Sequence, residues 1–245
     1  MQWDPQGYLA YGDERARPFV DLVSRIGADN PATVVDLGCG QGTMTALLQQ
    51  RWPLADVLGV DSSPEMVAAA EGVRVELGDI RTWDGEADVV LSNAALQWVP
   101  GHVSLLPRLA SRARAWFAFQ VPGNFEAPTH TIRRELAEDT RFEPYLYDVE
   151  RPDSHGPEIY LDVLQREGWE VDAWETTYLH VLQGDDAVFT WVSATGARPT
   201  LQALPEPVRD EFVREFKARL DTAYPPTPQG VVMPFRRVFV VARRR

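Results

Sequence analysis

The sequence predicts an α/β fold, a mostly parallel sheet with helices on both faces, and three stretches carry that expectation. Residues 34–42 read Val-Val-Asp-Leu-Gly-Cys-Gly-Gln-Gly, a short β-branched run that passes straight into glycines 38, 40 and 42. Residues 57–60 form a second apolar run ending on Asp61, and residues 73–77 a third that runs into Gly78-Asp79-Ile80. Short apolar runs closed by turn residues and separated by helix-period segments are the signature of strands buried on both faces.

The remaining elements follow in chain order. Residues 3–11 mix aromatics with Pro5 and Gly7, and residues 14–26 carry Phe19, Leu22, Val23 and Ile26 at helical spacing. After the glycines, Leu47 and Leu48 mark the apolar side of a helix over 43–51 that ends before Pro53. Ser62-Ser63-Pro64-Glu65 reads as an N-cap with proline at the first helical position, which starts a second helix over 64–71. Residues 87–91 form a fourth strand, residues 104–112 a helix, and residues 115–121 a fifth strand closed by Pro122-Gly123-Asn124-Phe125. A helix over 157–167 and a sixth strand over 170–181 come later, and residues 232–242 give a seventh strand. Two stretches interrupt the alternation, about 123–157 and 185–225, and are read as helical cap insertions within one domain spanning 1–245. The first holds a helix over 131–139 and an aromatic, proline-rich loop. The second holds 189–195 and a long helix whose Val208, Phe212, Phe216 and Leu220 form a packing ladder.

The chemistry gathers at the strand ends. Glycines at 38, 40 and 42 let the chain turn tightly and bring its backbone against a ligand. A dinucleotide fingerprint would place its third glycine where Thr43 stands, so a pyrophosphate fits this turn poorly. Asp36 would also repel a pyrophosphate and attract a cation, which points to a cationic or zwitterionic nucleoside. Asp61 lies about twenty residues beyond the turn, where a carboxylate accepts both ribose hydroxyls. Asp79 and Ile80 then offer a carboxylate and an apolar side chain for an adenine. The fourth strand delivers Ser92-Asn93-Ala94-Ala95-Leu96-Gln97-Trp98-Val99 at its carboxyl end, and Asn93, Gln97 and Trp98 combine amide groups with a flat apolar surface suited to a small polar acceptor.

Composition excludes several classes. The net charge of −12 opposes the counterion displacement that nucleic-acid binding needs. No apolar run approaches the roughly twenty residues that span a bilayer, and residues 1–8 lack the features of a signal peptide. The single cysteine, Cys39, fits a reducing compartment, so the expected location is cytoplasmic. His102, His130, His155 and His180 are scattered along the chain without paired ligand spacing, so no metal is expected. Lys217 is the only lysine; the other cations are arginines, the better forks for carboxylates.

Taken together, Asp36, the glycines, Asp61 and Asp79 resemble the cofactor site of the class I S-adenosylmethionine-dependent methyltransferases, whose Rossmann-like sheet has seven strands, the last antiparallel near the sheet edge. Further motifs make the likeness specific. Trp3-Asp4-Pro5 with Tyr8-Leu9, Asp61-Ser62-Ser63-Pro64, the 92–99 stretch, Pro122-Gly123-Asn124 with Pro128-Thr129-His130, Trp174-Glu175-Thr176-Thr177-Tyr178-Leu179-His180 and Pro234-Phe235-Arg236-Arg237 are similar to the trans-aconitate 2-methyltransferases. Gln41 stands where many members of that family have proline. The resemblance implies methyl transfer from S-adenosylmethionine to trans-aconitate, a tricarboxylate, with S-adenosylhomocysteine as the second product.

It also implies roles for particular residues. Asp36, Gly38, Gly40, Gly42, Asp61, Ser62, Asp79, Ile80 and Asn93 would hold the cofactor, with Tyr8, Tyr11 and Arg15 or Arg17 candidates to cover its methionine end. Gln97 and Trp98 would line the reacting centre. A carboxylate acceptor is ionised at neutral pH, with a reference pKa of about 4, and needs no general base. Its remaining carboxylates call for arginine forks or imidazolium, for which His130, Arg133, Arg198, Arg236 and Arg237 are the candidates, with Asn124 as a further substrate contact. The expected partners are a small polycarboxylate, no nucleic acid and no membrane, with the chain a monomer or weak homo-oligomer. Methylation of another small acid and non-catalytic binding of the cofactor or a metabolite stay open as alternatives.

Overall fold

The computed structural model describes residues 16–149 and 152–245. Tyr8, Tyr11, Arg15 and the Trp3-Asp4-Pro5 motif lie outside the described residues. The chain divides into two compact units, one made of residues up to 122 with 154–176 and 237–245, the other of 123–153 and 177–236. The second therefore takes in the ends of two strands as well as the segments read as insertions.

Helix α1 (Ala16–Ser24) precedes strand β1 (Thr33–Leu37), helix α2 (Thr45–Arg51), strand β2 (Asp56–Asp61), helix α3 (Pro64–Ala68) and strand β3 (Val75–Leu77). Helix α2 starts two residues later than its pattern suggests, because Gly40 and Gly42 hold positive φ and keep the chain in the turn. Ser63 caps α3 by accepting the Met66 N–H at 3.2 Å, with Pro64 first in the helix. Strand β4 (Ala87–Asn93), helix α4 (Leu106–Ser111) and strand β5 (Ala113–Pro122) complete the run of parallel strands. Helix α5 (Pro128–Ala137) and the short α6 (Glu143–Leu146) come next, followed by α7 (Pro157–Arg166) and β6 (Trp169–Leu182). The chain ends with α8 (Ala187–Ser193), α9 (Arg198–Ala203), α10 (Val208–Ala223), β7 (Pro226–Thr227) and β8 (Gly230–Arg244).

The sheet runs β3-β2-β1-β4-β5-β8-β6, with the two-residue β7 paired to β8. Strands β1 to β5 are parallel to one another, whereas β8 meets β5 antiparallel in the register Trp116↔Arg243 through Pro122↔Arg237. The antiparallel strand is thus one place in from the edge, and β6 is outermost. Order reverses at β1, whose neighbours are β2 and β4, and the carboxyl ends of strands around such a reversal form the crevice where ligands bind.

In the first unit, Leu37, Val90, Phe117, Phe119, Val240, Leu109 and Tyr160 are fully buried in one core. Each such side chain contributes on the order of 1.5–3 kcal/mol by leaving water. The second unit has its own core, in which Phe212, Phe216 and Leu220 of α10 pack with Leu136, Phe142, Val188 and Leu204. The ladder is a packing face, with Val208 half-buried at its start. Among the described residues no helix is long and apolar enough to cross a membrane.

Candidate functional site

The glycine turn of the first unit is held from below and from the side. Gly38, Gly40 and Gly42 have φ of 77°, 59° and 81°, values that L side chains rarely adopt. A Cβ on Gly38 would overlap Ala95, and one on Gly42 would overlap Val73, so both are fixed by packing. Gly40 differs: among the described residues nothing lies within 4 Å of where its Cβ would be. Its backbone conformation is costly for any other residue, while no atom of the described residues crowds the space beside it. That combination suits a turn whose backbone is approached by a ligand.

Asp61 ties this turn to β2. One carboxylate oxygen accepts the Gly40 N–H at 2.7 Å and the other accepts the Ser63 N–H at 2.9 Å. Each oxygen keeps a further lone pair, so a half-exposed carboxylate at a strand end remains able to accept two ribose hydroxyls. Ser62, between these anchors, is exposed. Asp36 behaves differently from its expected part in meeting a cation. It is 1% exposed and sits beneath the turn, with Oδ2 accepting the Thr45 hydroxyl at 2.7 Å and Oδ1 buried without a hydrogen-bond partner. Burial raises its pKa to about 6, against the Thr45 hydrogen bond, and the Asp61 charge adds in the same direction. Any attraction it exerts on a cation acts through space, and Thr45, which pattern reading overlooked, is the residue that positions it.

Beyond β3, Ile80 is buried beside Gly38. Asp79 is forked by Arg81, with Nη2 to Oδ2 at 2.6 Å, and this hydrogen bonding holds its carboxyl below the usual range. The Arg81 side chain is 64% exposed, and such surface pairs are weak. Arg108 of α4, which the sequence did not single out, fixes this loop by donating to the carbonyls of Ile80, Arg81 and Trp83 at 2.6–2.8 Å.

At the end of β4, Asn93 Oδ1 accepts the Gln120 amide at 2.6 Å. Leu96–Trp98 forms a single 3-10 turn behind Ala94, whose φ is 53°. Gln97 was expected to offer an amide donor, but its Nε2 donates to the Ala94 carbonyl at 2.5 Å, and Oε1 is buried with no partner. A carbonyl only accepts, so the nitrogen must face Ala94, and Gln97 presents an acceptor instead. Trp98 is 38% exposed, with part of its indole available as a surface.

The histidines are less scattered than the sequence implied. His102 and His155 lie with ring centroids 5.9 Å apart in the first unit. Tyr160 joins them, its hydroxyl 2.8 Å from His102 Nε2 and accepting the His155 N–H at 2.9 Å. Among the described residues no cluster of His, Cys, Asp or Glu is placed to hold a metal. Cys39 packs in the turn, where burial, with Asp36 and Asp61 adding to it, pushes its thiol up to about 12 and leaves it a poor nucleophile.

The second unit assembles a different set. A cavity of about 70 Å³ is lined by Phe125, His130, Arg133, Arg134 and Thr200 over an apolar wall that includes Leu146 and Val149. His130 contacts the Phe125 ring edge-on at 4.9 Å and lies 3.3 Å from Arg133 Nη2 through Nδ1. Burial lowers the His130 pKa to about 4, and the charges of Arg133 and Arg134 act in the same direction. The imidazolium expected for gripping a carboxylate is therefore a neutral ring at pH 7. Arg133 also donates to the Gly196 carbonyl. Arg236 donates to the Gly123 carbonyl at 2.9 Å, and Asn124 is buried with Oδ1 unpartnered. Arg198 was expected in a loop, but it opens α9, where the following proline is tolerated in the first turn, and it is exposed. Phe125 and Arg134 were passed over although they stand within five residues of the named His130, whereas Thr200, far along the chain, is brought to the cavity only by folding.

Known proteins fit this geometry. A family model described as "Methyltransferase domain" matches residues 10–173. The YcgJ protein of Bacillus subtilis has a TM-score of 0.56 at 15% identity, covering 91% of this chain and 96% of its own. The magnesium protoporphyrin IX methyltransferase of Synechocystis, solved with bound S-adenosylhomocysteine, has a TM-score of 0.51 at 15% identity over 98% of this chain and 83% of its own. At such identities the likeness is one of fold, and fold and strand-end site together define the class as a Rossmann-like methyltransferase. Closer in sequence are proteins named trans-aconitate 2-methyltransferase. That of Streptomyces avermitilis is 46% identical over 99% of this chain and 97% of its own. That of Rhodococcus jostii is 48% identical over 98% of this chain and 99% of its own. The chain belongs to the trans-aconitate 2-methyltransferase family.

Proposed function

We propose that this chain transfers the methyl group of S-adenosylmethionine to one carboxylate of trans-aconitate, giving the monomethyl ester and S-adenosylhomocysteine. The observation that carries this reading is the 46–49% identity to proteins of that name over nearly the whole chain, second unit included. When bound, S-adenosylmethionine supplies an electrophilic methyl carbon on a sulfonium.

The residues of the first unit suit such a ligand. The open side of Gly40 lets backbone approach the nucleoside, and Asp61 offers acceptors for two ribose hydroxyls. Asp79 and Ile80 give a carboxylate and an apolar face for the base, with Ser62 and Asn93 beside them, and Tyr11 is proposed to cover the methionine end. Asp36 adds negative potential beneath the turn. Gln97 and Trp98 are proposed to wall the reacting centre, excluding water and directing an acceptor that arrives already ionised. In the second unit His130, Arg198, Arg236 and Asn124 are proposed to bind the substrate, His130 as a neutral hydrogen-bonding ring. The whole is proposed to act as one catalytic domain with a capping portion, in the cytoplasm, as a monomer or weak homo-oligomer. The net charge of −12 argues against a nucleic-acid partner.

The test is transfer of labelled methyl from S-adenosylmethionine to trans-aconitate beside cis-aconitate, citrate, isocitrate and a long-chain fatty acid. Selective turnover of trans-aconitate is expected. Cofactor binding with equal or no turnover across the panel would discard this substrate.

A further inference from the structure

The second unit contains a cavity in which the named His130 and Arg133 are joined by residues the motifs did not single out. This cavity of about 70 Å³ is lined, among the described residues, by Arg133 and Arg134 together with apolar side chains. Thr200, at 6% exposure, is a buried hydroxyl in this lining. An engineered cavity of about 150 Å³ takes one benzene, so a space about half that size holds roughly three or four heavy atoms. That is a carboxylate with at most one methylene, and far less than a whole six-carbon triacid.

We infer that this cavity is a subsite for one carboxylate arm of the substrate, with Arg134 as its anion contact, Thr200 as a second polar contact and Phe125, Leu146 and Val149 packing the methylene carbon. The inference rests on the polycarboxylate reading and adds to it a place where one non-reacting carboxyl group is recognised.

The two arginines have different parts. Arg133 donates to the Gly196 carbonyl and to His130 Nδ1, which holds it in place. Arg134 meets Glu126 at 3.3 Å through one nitrogen, and the Glu126 side chain is 85% exposed. An exposed pair of this kind contributes little, so an entering carboxylate displaces Glu126 at small cost. His130, beside Arg133, is neutral and adds no further charge to the lining. The apolar wall then favours a carboxylate on a short carbon arm over a hydrated inorganic anion.

Arg134→Ala and Ala137→Leu test the inference in the full chain. The first removes the anion contact, and the second fills the space from a residue that lines it at the end of α5. Both should raise KM for trans-aconitate at least tenfold while the Kd for S-adenosylmethionine stays within twofold, and Arg134→Lys should recover part of the loss. An unchanged KM in both variants overturns the subsite. If the wild-type protein fails to methylate trans-aconitate, the polycarboxylate reading fails by itself. The cavity is then judged by calorimetric titration of propane-1,2,3-tricarboxylate into wild type and Ala137→Leu. Binding seen only in the wild type supports the subsite, and equal heats or none overturn it.

Discussion

The two units solve opposite electrostatic problems with different materials. The first places carboxylates, Asp36, Asp61 and Asp79, at or just beyond the ends of strands, around a turn whose glycines all have positive φ. The second surrounds a small cavity with side chains, two arginines and a neutral histidine drawn from α5 and a threonine from α9. A cation with a nucleoside is recognised well by strand-end carboxylates and bare backbone. A carboxylate arm needs donors that project from helices. Backbone sites are intolerant of any added atom, whereas side-chain sites lose affinity by degrees.

The sharpest way to break this contrast is within the turn itself. Gly38→Ala should destabilise the protein by about 2–5 kcal/mol, since it combines left-handed backbone with a clash against Ala95. Gly40→Ala should cost only about 1–2 kcal/mol of stability, from the backbone alone, yet weaken cofactor binding. Denaturant melts and cofactor titration separate the two, and equal stability losses would remove the distinction between a packed glycine and an approached one.

Asp36 gives the next largest effect. Its pKa is about 6 in the folded protein against 3.8 for the free side chain, so the folded state holds this proton more tightly. The associated stability is fully present below pH 3.8 and is lost as pH rises through 6, up to ~3 kcal/mol by pH 7. Asp36→Asn should therefore melt at a higher temperature than wild type at pH 7, and the advantage should shrink by pH 5, while cofactor affinity falls. A variant no more stable at pH 7 would show that Asp36 is not strained by its burial.

Asp61→Ala should weaken cofactor binding by about 1.5–3 kcal/mol, the value of hydrogen bonds to a charged group. Part of that loss should come from the turn, because Gly40 and Ser63 lose their shared acceptor. Unchanged affinity would remove Asp61 from the ribose role. The smallest effect concerns His130. With its pKa lowered to about 4, its neutral form persists as pH falls below the ordinary 6.5, and the stability it contributes is lost only as pH drops from there through 4. KM for trans-aconitate should accordingly show no inflection between pH 6 and 8. A rise in KM centred near 6.5 would mean that an imidazolium grips the substrate.

How much was legible followed the range of the interactions. Residues 34–42, Asp61 and Asp79 could be read because each strand, turn and acid is contiguous, and the helix ladder of Phe212, Phe216 and Leu220 because its period is local. Element ends drifted where glycines of positive φ delayed a helix, as at Gly42. Gln97 could be named but not oriented, since its donor is spent on Ala94 within a 3-10 turn that no residue pattern announced.

The sequence by itself determined the parallel sheet, the order of its strand-end acids and the family, because these depend on residues that stand next to one another in the chain. The tertiary structure decided that Asp36 lies under the turn on Thr45, that His102 and His155 share Tyr160, and that Phe125, Arg134 and Thr200 meet around one cavity. Burial and long-range packing set those outcomes, and neither is written in the spacing of residues along the chain.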